Sequence, residues 1–304
     1  MAGLGPALAL LLAGANLATA SAEPASGEGD NTDVVAARVD PSWRLTVPVR
    51  IGEGGPFEFL VDTGAQNTIV GSALAARLAL APAGKASVIS VGGRMIIDTV
   101  KVDRLTLGSR SFGGIVAPVL SEENIGADGI VGVDSLQHQR VLFDFRRNLI
   151  SVSDTVDDSS DARAFDIVVR ARRRSGQLIL TKARIDGVRV DVVVDTGADY
   201  SIGNRALQAR LGRVGSGRAT LVSVTGQRIA AEIGVARTLD VGSLRITNVS
   251  IAYADALPFA YLGLGRRPAI LLGMDVLHTF KRIAIDFAKR QVLFDLDAGA
   301  VPPG

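Results

Sequence analysis

The amino-acid sequence reads as two copies of one all-β domain, related by a pseudo-two-fold axis. Three features point there. Short apolar, β-branched runs alternate with Gly, Asn and Asp turn residues over most of the chain. Helical periodicity is confined to a few short stretches, which favours a fold built of strands. Lastly, the run Phe59-Leu60-Val61-Asp62-Thr63-Gly64-Ala65 returns 133 residues later as Val192-Val193-Val194-Asp195-Thr196-Gly197-Ala198.

The repeat extends well beyond that run. At the same offset Ile69 matches Ile202, Leu74 matches Leu207, and Leu78 matches Leu211. Ser90-Val91-Gly92-Gly93-Arg94 matches Ser223-Val224-Thr225-Gly226-Gln227. One insertion later, Leu105-Thr106-Leu107-Gly108-Ser109 matches Leu239-Asp240-Val241-Gly242-Ser243. After a further gap, Val131-Gly132-Val133-Asp134 matches Leu272-Gly273-Met274-Asp275. A unit this long that occurs only twice is no solenoid. It predicts two homologous domains that share one site.

Taken in order, residues 1–22 read as a signal peptide. Leu8 to Ala15 is nearly all Leu and Ala, and small-residue cleavage sites end at Ala20 and Ala22. Met1 to Pro6 lacks the usual Lys or Arg. Export to the periplasm or secretion follows, with no stable membrane span after processing. Residues 23–42 are a flexible leader rich in Gly, Ser, Pro and acids. The N-terminal domain is 43–153. Within it a strand from Trp43 to Ile51 turns back into Phe57 to Val61, which carries Asp62. A short helix starts at Gly71 or Ser72 and runs to Leu80, with Leu74 and Leu78 on one face. Ser87 to Val102 is a hairpin with Gly92-Gly93 at its tip, and Leu105 to Val119 gives two or three more short strands. Asn124 to Gly129 is a loop, and Val141 to Asp144 and Leu149 to Val152 close the half.

Residues 154–164 are acidic and Ser-rich, and read as a linker. The C-terminal domain, 165–297, repeats the order. Asn204 caps a helix to Leu211, Thr225-Gly226 forms the second hairpin tip, and Leu277 to Phe280 is a turn of helix. Residues 298–304 form a tail.

Composition limits the chemistry. Of the 304 residues, 47% are apolar, enough for a substantial core, and none is cysteine. Disulfides, thiolate metal sites and a cysteine nucleophile are therefore excluded. The only histidines, His138 and His278, cannot supply both a two-histidine metal site and a separate base; each follows a Gly-X-Asp-X-Leu turn and reads as structural. A net charge of +2 favours no partner class. Arg170, Arg172, Arg173 and Arg174 lack interleaved aromatics and read as a solvated strand end, so no nucleic-acid partner is expected.

Two aspartates in equivalent places of two similar domains make a carboxylate pair. Side by side they share one proton and titrate as a unit. Such a pair can take a proton from water and protonate the carbonyl under attack, with no metal, cofactor or covalent intermediate. No Gly-X-Ser-X-Gly elbow offers a serine alternative.

These motifs resemble the retropepsin-like aspartic proteases, in a bacterial single-chain form with two Asp-Thr-Gly-Ala repeats. The resemblance implies two retropepsin-like β domains in a pepsin-like bilobal arrangement. It makes Asp62 and Asp195 the catalytic dyad, and has Thr63 and Thr196 hydrogen-bond across the pseudo-dyad. Gly64 and Gly197 present N–H groups near the carboxylates, and Gly132 and Gly273 pack behind the two loops. Val91, Gly92 and Gly93, with Val224, Thr225 and Gly226, form flaps over an extended peptide substrate. The implied activity is that of an aspartic endopeptidase, working as a monomer. The alternative is a peptide-binding protein that kept the fold and lost catalysis. A third arrangement would pair Asp62 of two chains.

Departures from the family pattern carry further expectations. No tyrosine stands in the first hairpin. Gln66 stands where the second loop has Asp199, which is expected to pair with Arg205 or Arg210. Asp134 and Asp275 read as structural turn carboxylates. Pepsin-like members commonly have Ser or Thr after the Asp-Thr-Gly, donating to the carboxylate. Ala65 and Ala198 donate nothing, so activity should peak between mildly acidic and near-neutral pH.

Overall fold

A computed structural model of the chain describes residues 12–13, 32–154, 165–212 and 217–296. The calls on the linker, on the tail and on most of the signal peptide lie outside the described residues. Of the N-terminal segment, Leu12–Ala13 adds a short strand to the edge of Pro82–Ser90.

Each half is organised around the strand that delivers its aspartate. In the first, Leu45–Ile51 pairs antiparallel with Gly54–Val61. The buried Val47, Val49, Phe59 and Val61 face one core and Leu60 another, so the strand has no polar side along its final residues. Gly129–Val131 then inserts parallel to Gly54–Val61 and antiparallel to Ile69–Gly71. In the second half Gln177–Ile185 pairs with Val188–Val194, and Ala269–Leu272 lies parallel to the latter. The two Asp N–H groups are held alike, Asp62 by the Val131 carbonyl at 3.1 Å and Asp195 by the Leu272 carbonyl at 3.0 Å.

The lobes are joined below the site by six antiparallel strands. Thr32–Ala36, Leu149–Asp154 and Gln139–Asp144 come from the first half, and Arg282–Asp286, Gln291–Asp295 and Ile167–Arg174 from the second. Gln139–Asp144 against Arg282–Asp286 is the seam between the halves. Thr32–Ala36 is thus an outer strand, within the stretch that composition marks as leader.

The all-β expectation needs correction. The chain is β-rich and bilobal, but among the described residues it also has six helices, a helical content of 12%. Their cause is local. Connections that bury apolar side chains must satisfy their own backbone groups, and a helical turn does so internally. Ser72–Arg77 buries Leu74 and Ala75. Arg205–Leu211 buries Leu207 and is capped by Asn204, whose side chain accepts from Leu207 N–H at 2.9 Å. Glu122–Ile125 takes up Asn124, read from sequence as loop. Met274–Leu277 starts and ends three residues before the expected turn of helix. The short strands expected over Leu105 to Val119 are instead two long ones, Gly93–Leu107 and Arg110–Leu120. Among the described residues no helix is long and apolar enough to cross a membrane.

Candidate active site

Asp62 and Asp195 follow the ends of their strands where the two halves meet, 2% and 0% exposed. The Asp195 carboxyl is close enough to act on the titration of Asp62. Each carboxyl lies against the glycine of the opposite loop, Asp195 on Gly64 and Asp62 on Gly197, so closely that a methyl group at either glycine would collide with it. Gly64 and Ala65 donate N–H groups to Asp62 Oδ1 at 2.7 and 3.1 Å. Gly197 donates to Asp195 Oδ1 at 3.2 Å. Burial pushes Asp62 up to about 6, against the pull of those N–H donors, Arg44 and Asp195.

The threonines cross-link the loops. Thr63 Oγ1 donates to the Val194 carbonyl at 3.0 Å and accepts from Thr196 N–H at 3.3 Å. Thr196 Oγ1 donates to the Val61 carbonyl at 2.8 Å and accepts from Thr63 N–H at 3.0 Å. Every donor and acceptor in this buried square is used, so the two aspartates are fixed relative to each other.

Behind each loop a matching polar cluster closes the strand-to-helix turn. Asp134 accepts from Thr68 N–H and Oγ1, and Thr68 Oγ1 accepts from Gly132 N–H at 3.2 Å. Ser201 Oγ donates to Asp275 at 2.7 Å and accepts from Gly273 N–H at 3.1 Å. Asp134 and Asp275 thus hold turns, as their sequence setting indicates. Thr68 and Ser201 went unnoticed in the sequence, although the 133-residue offset aligns them. A Cβ at Gly273 would lie 2.6 Å from Tyr200 C and 2.7 Å from its O, and one at Gly132 would meet the backbone of Asn67 and Thr68. Backbone cannot swing aside. Gly132→Ala and Gly273→Ala should each lose about 3 kcal/mol or more of stability in thermal or urea unfolding. A Tm within 2 °C of wild type would contradict this packing.

The structure corrects the partner of Asp199. It faces Arg44 of the first half, at 3.2 Å, with side chains 2% and 4% exposed, rather than Arg205 or Arg210. Arg44 also pairs with Asp40 at 2.6 Å, while Arg205 goes to Glu232. Burial raises Asp199 to about 6, and Arg44 opposes that rise. The pseudo-symmetric positions of Arg44 and Asp199 are Gln177 and Gln66. There Gln177 donates to the Gly64 carbonyl at 2.9 Å and Gln66 to the Ser175 carbonyl. One side of the site is bridged by a buried ion pair, the other by neutral amides. No sequence period marks Arg44, because its partner lies in the other half.

The hairpin tips meet above the aspartates. The first is Val91-Gly92, with Gly93 opening the return strand opposite Ser90. The second spans residues 223–227. Ser90 Oγ and Thr225 Oγ1 are 2.9 Å apart, Gly92 sits on Gln227, and Gly226 lies beside Asn124. Val91 and Val224 cross over. Val91 joins the buried cluster of the second half that holds Ala198, Val193 and Ile202, and Val224 joins that of the first half with Ala65, Leu60 and Ile69.

His278 stacks on Trp43 at 4.7 Å and its Nδ1 contacts the Met274 carbonyl, while His138 is exposed. Among the described residues no three His, Asp or Glu side chains gather as a metal site.

No curated protein matches the chain. The aspartyl protease family model matches it twice, over residues 47–135 and 181–276, together more than half its length. With the strand, turn and glycine geometry repeated in both matched segments, the chain belongs to the aspartyl protease family, as a retropepsin-like member that carries the family domain in duplicate.

Proposed function

We propose that the chain is an active aspartic endopeptidase whose catalytic pair is Asp62 and Asp195 of one polypeptide. The observation that carries this reading is the mutual enclosure of the two buried carboxyls, each against the glycine of the opposite loop. Two such carboxyls cannot both ionise cheaply, so one proton is shared between them. The ionised member takes a proton from a water molecule, while the protonated one donates to the carbonyl oxygen of the peptide. The carboxyl that took the water's proton then passes it to the amide nitrogen, the C–N bond breaks, and the other carboxylate recovers its proton from the hydroxyl that becomes the product's carbonyl. The Thr63–Thr196 square keeps the carboxyls in place throughout, which lowers the reorganisation the reaction requires. Cleavage of an unbiased peptide library, read by mass spectrometry, tests the activity. Peptides that bind without turnover would support the catalytically inactive binding protein instead.

The substrate lies extended beneath the hairpins, bonded to them through its backbone. The tips must part to admit it, withdrawing Val91 and Val224 from apolar contacts worth about 2 kcal/mol each. Hydrogen exchange at 90–93 and 223–227 should slow when a peptide inhibitor binds. Unchanged exchange at either tip would remove that hairpin from the role of flap.

We also infer export, on the apolar run and small-residue sites of residues 1–22. The mature chain should begin at Ser21 or Glu23 and be recovered outside the cytoplasm. N-terminal sequencing that finds Met1 or Ala2 in the cytosolic fraction would contradict this.

A further inference from the structure

We propose that the second half carries a separate anion site, a basic hollow that takes a compact ligand bearing two or more phosphate groups, free or as a lipid head group. The hollow measures about 910 Å³ and is lined by Arg172, Lys182, Arg184, Arg189, Arg210 and Arg267. A single carboxylate shares its wall, Asp191, 3.3 Å from Arg267. Arg184 donates to the Gly187 carbonyl at 2.8 Å. Asp240, which neighbours Arg184 in the sheet, is taken by Arg245 at 2.6 Å. The side chains of Arg172, Lys182, Arg189 and Arg210 make no hydrogen bond or ion pair with the described residues.

Folding does not account for this charge. Arg184 and Arg189 stand directly opposite each other across an antiparallel ladder, where like charges destabilise a sheet. The first half serves as an internal control. Its ladder places Pro56 where the second half has Arg189, and Gly126 where it has Arg267. The cations it does keep are occupied, Arg38 by Glu58 at 3.2 Å, Arg77 over the Phe57 ring at 5.0 Å, and Arg50, in the place of Arg184, by the Glu53 and Gly55 carbonyls at 2.8 and 3.4 Å. The same fold therefore forms without a free basic hollow.

The lining chemistry selects the ligand. Five of the six cations are arginine, whose planar fork matches phosphate oxygens two at a time. No aromatic side chain lines the hollow, so single-stranded nucleic acid finds no stacking platform. Asp191 precedes Asp195 by four residues on one extended strand, about 13 Å at ~3.3 Å per residue. The hollow thus lies at the far end of that strand from the catalytic pair, and binding there is independent of the protease reading.

Inorganic tripolyphosphate, titrated calorimetrically into the full chain at low salt, should saturate one site below about 1 mM. Arg184→Gln with Arg189→Gln should weaken it at least tenfold, and the unliganded double variant should melt at or above the wild-type temperature. The same charge removed at Arg146 and Arg147 should change affinity less than twofold, and Asp62→Asn should not change it. Co-sedimentation with vesicles containing cardiolipin, whose head group bears two phosphates, but not with phosphatidylcholine, lost in the double variant, assigns the lipid source; tripolyphosphate binding without vesicle binding assigns the free one. No saturation by about 1 mM, equal binding by the Arg184/Arg189 variant, or tighter binding of a poly-aspartate peptide than of tripolyphosphate would overturn the proposal.

Discussion

Asp62→Asn and Asp195→Asn are each expected to lower kcat/KM for peptide cleavage by at least about 10³-fold, with the fold intact. Asparagine keeps the shape and the acceptor oxygen that Gly64 and Ala65 bind in Asp62, but it cannot share a proton. Stability should move the other way. Asp62 titrates at about 6, above its ordinary 3.8, because burial outweighs its N–H donors and Arg44. A carboxyl raised on folding stabilises the fold when protonated; that contribution is complete below about pH 4 and fades as pH rises through about 6. Asp62→Asn should therefore be more stable than wild type near pH 7, by about 1–3 kcal/mol, and no more stable at pH 4. Thermal unfolding at both pH values checks this. The same burial places the activity optimum between mildly acidic and near-neutral pH, and Ala65→Ser should move the acidic limb downward by giving the ionised form a donor. An optimum below about pH 3.5 would show that other groups control the pair.

Arg44→Gln should be the most damaging single change outside the Asp62–Asp195 pair. It strands Asp199, whose side chain is 2% exposed, and removes a positive charge that favours ionised Asp62. Breaking a buried pair from one side costs about 3–5 kcal/mol. The deficit should shrink as pH falls, because Asp199 already titrates at about 6 and moves higher without Arg44. Adding Asp199→Gln copies the amide pair of Gln177 and Gln66 and should recover most of the loss. The acidic limb of activity should shift to higher pH in Arg44→Gln, a change that loss of packing alone would not produce. A deficit from wild type that is equal at pH 5 and 7, or an unmoved limb, would contradict the role given to this arginine.

The two Asp-Thr-Gly loops were legible because each is local. An apolar strand, Asp-Thr-Gly and a distant Gly can be read in one half and checked in the other at a fixed offset. Thr68 and Ser201 were within reach of the same offset, but a hydroxyl in a turn carries little signal alone. Arg44 was beyond it. Its position sits in a strand that reads as alternating apolar, and its partner Asp199 is set by how the lobes dock. The helices escaped the all-β reading for a related reason. Val133–Leu136 and Glu122–Ile125 span four residues each, too short for a period to show. The crossing of Val91 and Val224 into opposite lobes is likewise tertiary, since either valine reads simply as apolar beside a glycine turn.

The central claim is that one chain supplies both halves of one site. Mixing equal amounts of purified Asp62→Asn and Asp195→Asn protein, and measuring cleavage of a peptide that wild type cuts, tests it directly. If each site is built within a chain, the mixture stays at the background of the separate variants at every protein concentration. Activity that appears on mixing and rises with concentration would mean that Asp62 of one chain works with Asp195 of another, and would contradict the single-chain site.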